Sequence, residues 1–118
     1  MSDPHGHRIF TTGFDAVYPL YLAKLERKGR RQEELDAVIC WLTGFDETEL
    51  KRHLAAGTAL SDFFEQARLN PAAAQITGVV CGVRVEAIED PLMQKIRFLD
   101  KLVDELAKGR ALNKVLRS

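Results

Sequence analysis

The apolar positions of this chain recur at helical spacing along most of its length. Phe14, Val17, Tyr18, Tyr21, Leu22 and Leu25 fall on one helix face, the stripe that an amphipathic helix buries. Asp15 is placed to cap its start, Pro19 is tolerable as a first-turn residue, and Gly29 follows as a stop. A second helix is predicted over 32–43, with Leu35, Val38, Ile39 and Leu42 inward and Gly44 at its end. The third carries the clearest local signature. Asp46 is an N-cap with Glu49 three residues on, and Phe45 and Leu50 flank them as a hydrophobic staple. Leu54 continues that face and Gly57 closes it. A short fourth helix carries Leu60, Phe63, Phe64 and Ala67, with Ser61 or Thr58 as its cap.

Asn70-Pro71 pairs a capping side chain with a proline at the first helical position. The next stretch reads two ways. Ile76, Val79, Val80 and Val83 fit a helix face, whereas Val79, Cys81, Val83 and Val85 alternate as a strand does. A helix over 71–83 is predicted, because a lone strand would find no partner elsewhere in the chain. On such a helix Gly78 and Gly82 would let another backbone approach closely. Asp90-Pro91 repeats the cap-and-proline device and opens the strongest helix, 91–108, whose Leu92, Ile96, Leu99, Val103 and Leu106 step by four and three. Gly109 breaks it, and 111–116 makes a short terminal helix. The expected fold is all-α: a single compact domain of six to seven helices, an orthogonal bundle around Trp41, Phe45, Phe63, Phe64, Leu99 and Leu102. Residues 1–8 are expected to form a flexible N-terminal segment and 9–118 the helical domain.

Composition narrows the class of partner. The 118 residues include 17 Lys+Arg and 17 Asp+Glu, so the net charge is zero. That disfavours nucleic acid as a general partner, since a coat protein would be strongly basic. The longest nearly uncharged stretch, 76–83, is far short of the ~20 apolar residues of a membrane span, and no membrane partner is expected. The first residues lack the apolar core of a secretory signal. Cys40 and Cys81 stand alone inside apolar runs, where a thiol behaves as a small core residue. Reduced cysteines and a cytoplasmic location are the expectation.

Catalytic chemistry has little to work with, and no catalytic residue is assigned. Asp3, His5 and His7 have alternate spacing but no supporting ligand set, so neither a metal nor a cofactor is expected. Ser2, Ser61 and Ser118 lie in no nucleophile elbow, and no phosphate-cradling glycine loop occurs. Asp100 and Asp104 lie one turn apart, but Lys101–Glu105 and Asp104–Lys108 are spaced as ion pairs on a solvated face.

Charge is uneven, however. Lys24, Arg27, Lys28, Arg30 and Arg31 against Glu26 make 24–31 net +4, and Lys108, Arg110, Lys114 and Arg117 make 108–117 net +4. If the two segments meet, they form an anion site; if not, they are cations decorating two helix C-termini. A helix-turn-helix over the second and third helices is disfavoured, because Asp46, Glu47 and Glu49 would lead into the groove.

Several stretches together resemble one small prokaryotic family. They are Val17-Tyr18-Pro19-Leu20-Tyr21, Lys28-Gly29-Arg30, Trp41-Leu42-Thr43-Gly44, Leu69-Asn70-Pro71, the run from Ile76 to Glu86, Asp90-Pro91-Leu92-Met93-Gln94 and the run from Leu99 to Gly109. The chain is similar to the domain-of-unknown-function 2200 family from about His7 to Arg117. The resemblance implies a small, bacterial, cytoplasmic, mainly helical protein, and it carries over no activity and no catalytic residue. Three functions are in play. The first is a non-enzymatic interaction protein, its partner an unknown protein near the second helix or the 84–91 loop, or a second copy on the stripe of the long helix. The second is a nucleic-acid- or phosphate-binding module using Lys24, Arg27, Lys28, Arg30, Arg31, Lys108, Arg110 and Lys114. The third is an enzyme whose site lies at the loop bearing Arg84, Glu86, Glu89 and Asp90.

Overall fold

The computed structural model describes residues 8–117. Asp3, His5 and His7 lie outside the described residues, as does nearly all of the expected flexible segment; its last residue, Arg8, opens a helix instead. Seven α-helices form among the described residues: α1 (Arg8–Thr11), α2 (Phe14–Glu26), α3 (Gln32–Thr43), α4 (Glu47–Ala56), α5 (Leu60–Gln66), α6 (Pro91–Ala107) and α7 (Leu112–Val115). Between α5 and α6 lies a hairpin of two short strands, β1 (Val79–Val80) and β2 (Val83–Arg84). The fold is mostly helical, as the periodicity implies.

The cap chemistry of α3 and α4 follows the sequence closely. Gly44 ends α3 at φ +74°, and a Cβ there would stand 2.9 Å from the Arg68 carbonyl oxygen, so both backbone and space demand glycine. Asp46 accepts the Glu49 N–H at 2.8 Å while Glu49 accepts the Asp46 N–H at 3.0 Å, a reciprocal box worth about 1 kcal/mol. Asn70 also does what its position suggests, accepting the Ala72 N–H at 2.8 Å. The same residue helps to close α3. The N–H groups of Arg68 and Asn70 donate to the carbonyls of Thr43 and Leu42, and the Asn70 amide donates to the Trp41 carbonyl. The open C-terminal end of α3 is thereby satisfied.

Other caps differ from expectation. Gly13, not Asp15, precedes α2, and Pro19 is its sixth residue, beyond the first turn. Gly29 does stop it: at φ +76° it directs Arg30 N–H to Leu25 O and its own N–H to Glu26 O, the Schellman arrangement. Ala59 precedes α5 with no side-chain cap, because the Thr58 hydroxyl is engaged with His53 Nδ1 at 2.9 Å and Ser61 lies within the helix. The terminal helix is shorter than 111–116.

The largest correction concerns 71–83. A 3-10 helix runs only from Pro71 to Gln75, after which the chain extends and folds back on itself. Val79 pairs with Arg84 and Val80 with Val83, antiparallel. The strand's partner is the next strand in the chain, so no distant partner is needed. Cys81 and Gly82 form the two-residue turn, both at positive φ (51° and 78°), the mirror-image turn that suits a twisted hairpin. Gly78 therefore sits at a bend before β1, at φ +109°, and Gly82 in the turn, and neither lies on a helix.

The core gathers around α6, which packs against α2, α3, α5, α7 and β1. Ile96, Phe98, Leu99, Leu102, Val103 and Leu106 are all buried. Most of the stripe expected to offer itself to a second copy is thus packed against this chain's own elements, while its first residue, Leu92, is only partly buried. Phe63 is the aromatic hub: Phe14 stacks on it at 4.2 Å, and Phe45 and Phe64 meet it edge-on at 5.1 and 5.2 Å. Trp41 is only partly buried, and so is Cys40, while Cys81 is exposed at the turn rather than in the core.

Candidate functional site

The hairpin is too short to be stable alone, and the surrounding residues brace it at several backbone groups. Glu86 accepts the Gly78 N–H at 3.0 Å and the Arg84 guanidinium at 3.2 Å. Those hydrogen bonds, the Gly78 N–H foremost, hold the Glu86 carboxyl below its ordinary range. Lys101 of α6 donates to the Val79 carbonyl at 3.3 Å, and the Gln94 amide donates to the Val85 carbonyl at 3.0 Å. Val80 and Val85 plug the core. Val79, 49% exposed, shares the outer face with its partner Arg84, whereas Val83 shares the inner face with Val80 and is 40% exposed. Among the described residues, the one other large apolar side chain in this state is Leu20, at 69%, next to Tyr21 on α2.

Beneath the turn lies a polar knot. Asp100 Oδ1 accepts the Tyr21 hydroxyl at 2.5 Å and Oδ2 accepts Arg97 at 2.7 Å. The Cys81 thiol reaches the same Oδ2 at 3.9 Å. Burial first, then the charge and hydrogen bond of Asp100, push the Tyr21 phenol well above its usual value. The phenol is a fixed donor at any physiological pH. Periodicity alone puts Tyr21 in a stripe and Asp100 on a solvated face, and so misses the knot. The glycine after Cys81, flanked by valines, signals the turn above the knot, and no local signal marks the knot itself.

The four loop candidates separate. Arg84 and Glu86 pair with each other, and Glu86 lines a cleft of about 400 Å³ with Asn70, Ile76, Gln94 and Phe98. Asp90 is the N-cap of α6, accepting the N–H groups of Leu92 and Met93, and borders a different cleft with Ser61, Phe64 and Lys95. Glu89 is exposed. The four do not converge on one cleft.

The two basic segments do meet, around an acid. Lys24 of α2 and Lys108 after α6 both contact Asp104, at 3.6 and 3.0 Å. Arg110 and Arg117 share Glu105, which replaces the spaced Lys101–Glu105 pair because Lys101 is turned to the hairpin. Arg30 is bidentate on Glu34. Arg27, Lys28, Arg31 and Lys114 have no ion pair among the described residues and are exposed. A cleft of about 440 Å³ opens beside this junction, lined by Lys101, Glu105, Lys108, Gly109 and Arg110. Among the described residues no group of three or more His, Cys, Asp or Glu is arranged to hold a metal, and no helix is long and apolar enough to cross a membrane.

The fold and these surfaces define a small, mostly helical domain with one braced hairpin. The chain belongs to an uncharacterised protein family conserved in bacteria, the domain-of-unknown-function 2200 family, whose model matches residues 8–117. It is also similar to a solved protein described as "Crystal structure of uncharacterized protein SP1917", with 44% identity over 98% of this chain and 94% of that one, at a TM-score of 0.89. No curated protein matches it.

Proposed function

We propose that this chain is a non-enzymatic interaction module of the cytoplasm that docks an apolar, acidic segment of a partner protein on the hairpin. One observation carries the reading: Glu86, Lys101 and Gln94 brace a hairpin whose outer face carries Val79, 49% exposed, beside its cross-strand partner Arg84. Holding a short hairpin and a left-handed Cys81 in place is costly, and presentation of Val79 beside Arg84 is what the bracing achieves. The chemistry of the partner follows from the rim. Arg84, with its side chain 60% exposed, Lys101 and Arg97 lie nearest, while the adjoining acids Glu86 and Asp100 are already hydrogen-bonded. An apolar centre with a cationic edge suits branched apolar residues beside Asp or Glu.

Selection from a displayed peptide library against the folded protein tests this. Enriched peptides are expected to combine branched apolar and acidic residues, and to lose at least about tenfold in affinity to a Val79→Ser variant and to Arg84→Glu. Failure to enrich, or peptides that bind both variants unchanged, would remove the reading. Light scattering on the same samples identifies a second copy as the occupant if a dimer forms and the serine variant dissolves it.

A further inference from the structure

We propose that the corner between α4 and α5 is an acid-sensitive latch, in which a proton taken up by His53 releases the 57–60 turn and α1 with it. His53 lies in the last turn of α4 and is only 4% exposed. Its ring packs tilted on Phe45 at 4.7 Å and edge-on to Phe63, the aromatic hub, at 5.2 Å. Nδ1 meets the Thr58 hydroxyl at 2.9 Å, and Nε2 is buried with no partner among the described residues. The neutral ring fits with its proton on Nδ1: it donates to Thr58 and leaves only a lone pair against the aromatic rings. An imidazolium carries two N–H donors and a charge. Thr58 accepts one of them, and the second has nothing to accept it.

The surrounding charges do not offset that cost. On α4 the groups that act on the ring are Arg52, next to it in the chain, and Glu49, one turn earlier. Glu49 is committed to the N-cap box, where it accepts the Asp46 N–H at 3.0 Å. The segment before α4 and α5 present the uncharged rings of Phe45 and Phe63, and from α2 Asp15 sets its carboxylate against Gly57 of the turn. Burial first, then Arg52, outweighs Glu49 and holds the ring below its ordinary 6.5. The open form therefore takes up the proton more readily, and the closed form loses ground as pH falls below 6.5.

What the ring secures is a seam between two parts of the chain. Thr58 N–H donates to the His53 carbonyl at 3.2 Å, and the Thr58 carbonyl accepts the Phe14 N–H at 2.7 Å. Leu60 N–H donates to the Thr12 carbonyl at 2.9 Å, and Gly13 bridges Ala59. These bonds tie the α1–α2 junction to the turn, and α1 packs on α5 beside them. With four residues, α1 is too short to stay helical once the seam parts. Gly57, Thr58 and Ala59 are only half-buried, which makes this turn a shorter route to water for the ring than unfolding the core around α6.

Amide hydrogen exchange read by NMR at pH 7.5 and 5.5, corrected for intrinsic rates, tests the latch. A His5→Asn/His7→Asn chain leaves His53 as its one imidazole. An open form titrating at the ordinary 6.5 is favoured by up to about tenfold at pH 5.5. Protection of the Phe14, Thr58 and Leu60 amides should fall by several-fold toward that limit. At both pH values it should lie at least about tenfold below that of Leu102 and Val103 in α6, which open only with the whole fold. His53→Phe, checked for folding by its melt, should abolish the pH response at the seam. In the parent chain the His53 Cε1–H resonance gives a second reading, with a midpoint below 6.5 expected. The proposal is overturned by a midpoint at or above 6.5, by seam protection that ignores pH or equals that of α6, or by a Phe variant that keeps the full response. No outcome depends on the hairpin or its partner.

Discussion

Two tyrosines three residues apart on α2 reach opposite neighbours and make the same bond in different settings. Tyr18 donates to Asp36 of α3 at 2.5 Å, and Tyr21 donates to Asp100 of α6 at 2.5 Å. Each aspartate has a cysteine close by, Cys40 and Cys81 respectively. The difference lies in what balances the carboxylate. Asp100 is neutralised by Arg97 at 2.7 Å. Asp36 has no such ion pair among the described residues; it borders a cleft with Glu33, Cys40 and Glu47, and Gln32 supports Tyr18 instead. Burial first, then Glu47 and Glu33 against the opposing Tyr18 bond, holds the Asp36 carboxyl above its ordinary value. One geometry therefore closes a complete knot at α6 and leaves an unbalanced charge at α3.

Breaking the complete knot should matter most. Asp100→Ala strands the Tyr21 hydroxyl and the Arg97 guanidinium together, and a loss of about 2–4 kcal/mol is expected in urea unfolding. A loss under about 1 kcal/mol would show that water replaces the carboxylate freely. Tyr21→Phe should cost about 1–2 kcal/mol, since Arg97 still holds Asp100, and Tyr18→Phe less, because removing that donor also frees Asp36 to reach solvent. Equal losses would erase the distinction between the two seats.

The cysteines sharpen the contrast. Cys81 is exposed at φ +51°, whereas burial first, then Asp36 and the acids of α4, pushes the half-buried Cys40 thiol up. Alkylation followed by mass spectrometry should modify Cys81 at least about tenfold faster. Cys81→Gly should stabilise by about 0.5–1 kcal/mol by relieving the left-handed backbone. A destabilised glycine variant would mean that the thiol contact with Asp100 outweighs that strain.

The smallest effect is the most diagnostic of sign. Because the folded-state value of Asp36 is raised, the folded protein takes up its proton before the unfolded chain does. That contribution is full below the ordinary value of 3.8 and is lost as pH rises through the raised one. Asp36→Asn should therefore be neutral at pH 7, or stabilising by roughly a few tenths of a kcal/mol. Its advantage should shrink as the pH falls toward 4. A variant that loses stability at pH 7 would instead make Asp36 a favourable charge like Asp100.

The legibility of these regions tracks the range of their interactions. The third helix can be read from Phe45, Asp46, Glu49 and Leu50 because cap and staple partners lie within five residues of one another. Asp90 and Gly29 succeed for the same reason. Ser61 and Asp15 resemble caps just as well, but His53 claims Thr58, Gly13 and Ala59 form their own bridge, and the helix starts shift by a residue or two. The valine run after Ile76 fits two periods at once. Only the Cys81-Gly82 turn and the Val80 and Val85 plugs choose between them.

From sequence alone came the helical class, most helix limits, the family and the uneven charge, because periodicity, caps and composition are local or additive. Tertiary structure decided which charges are already neutralised, which valines stay in solvent, and that Tyr21, Arg97, Asp100 and Cys81 share one place. Those residues span 21 to 100 in the chain, and no periodic pattern encodes a hydrogen bond across that separation. Only packing α2 and the hairpin against α6 brings the four side chains within reach of each other.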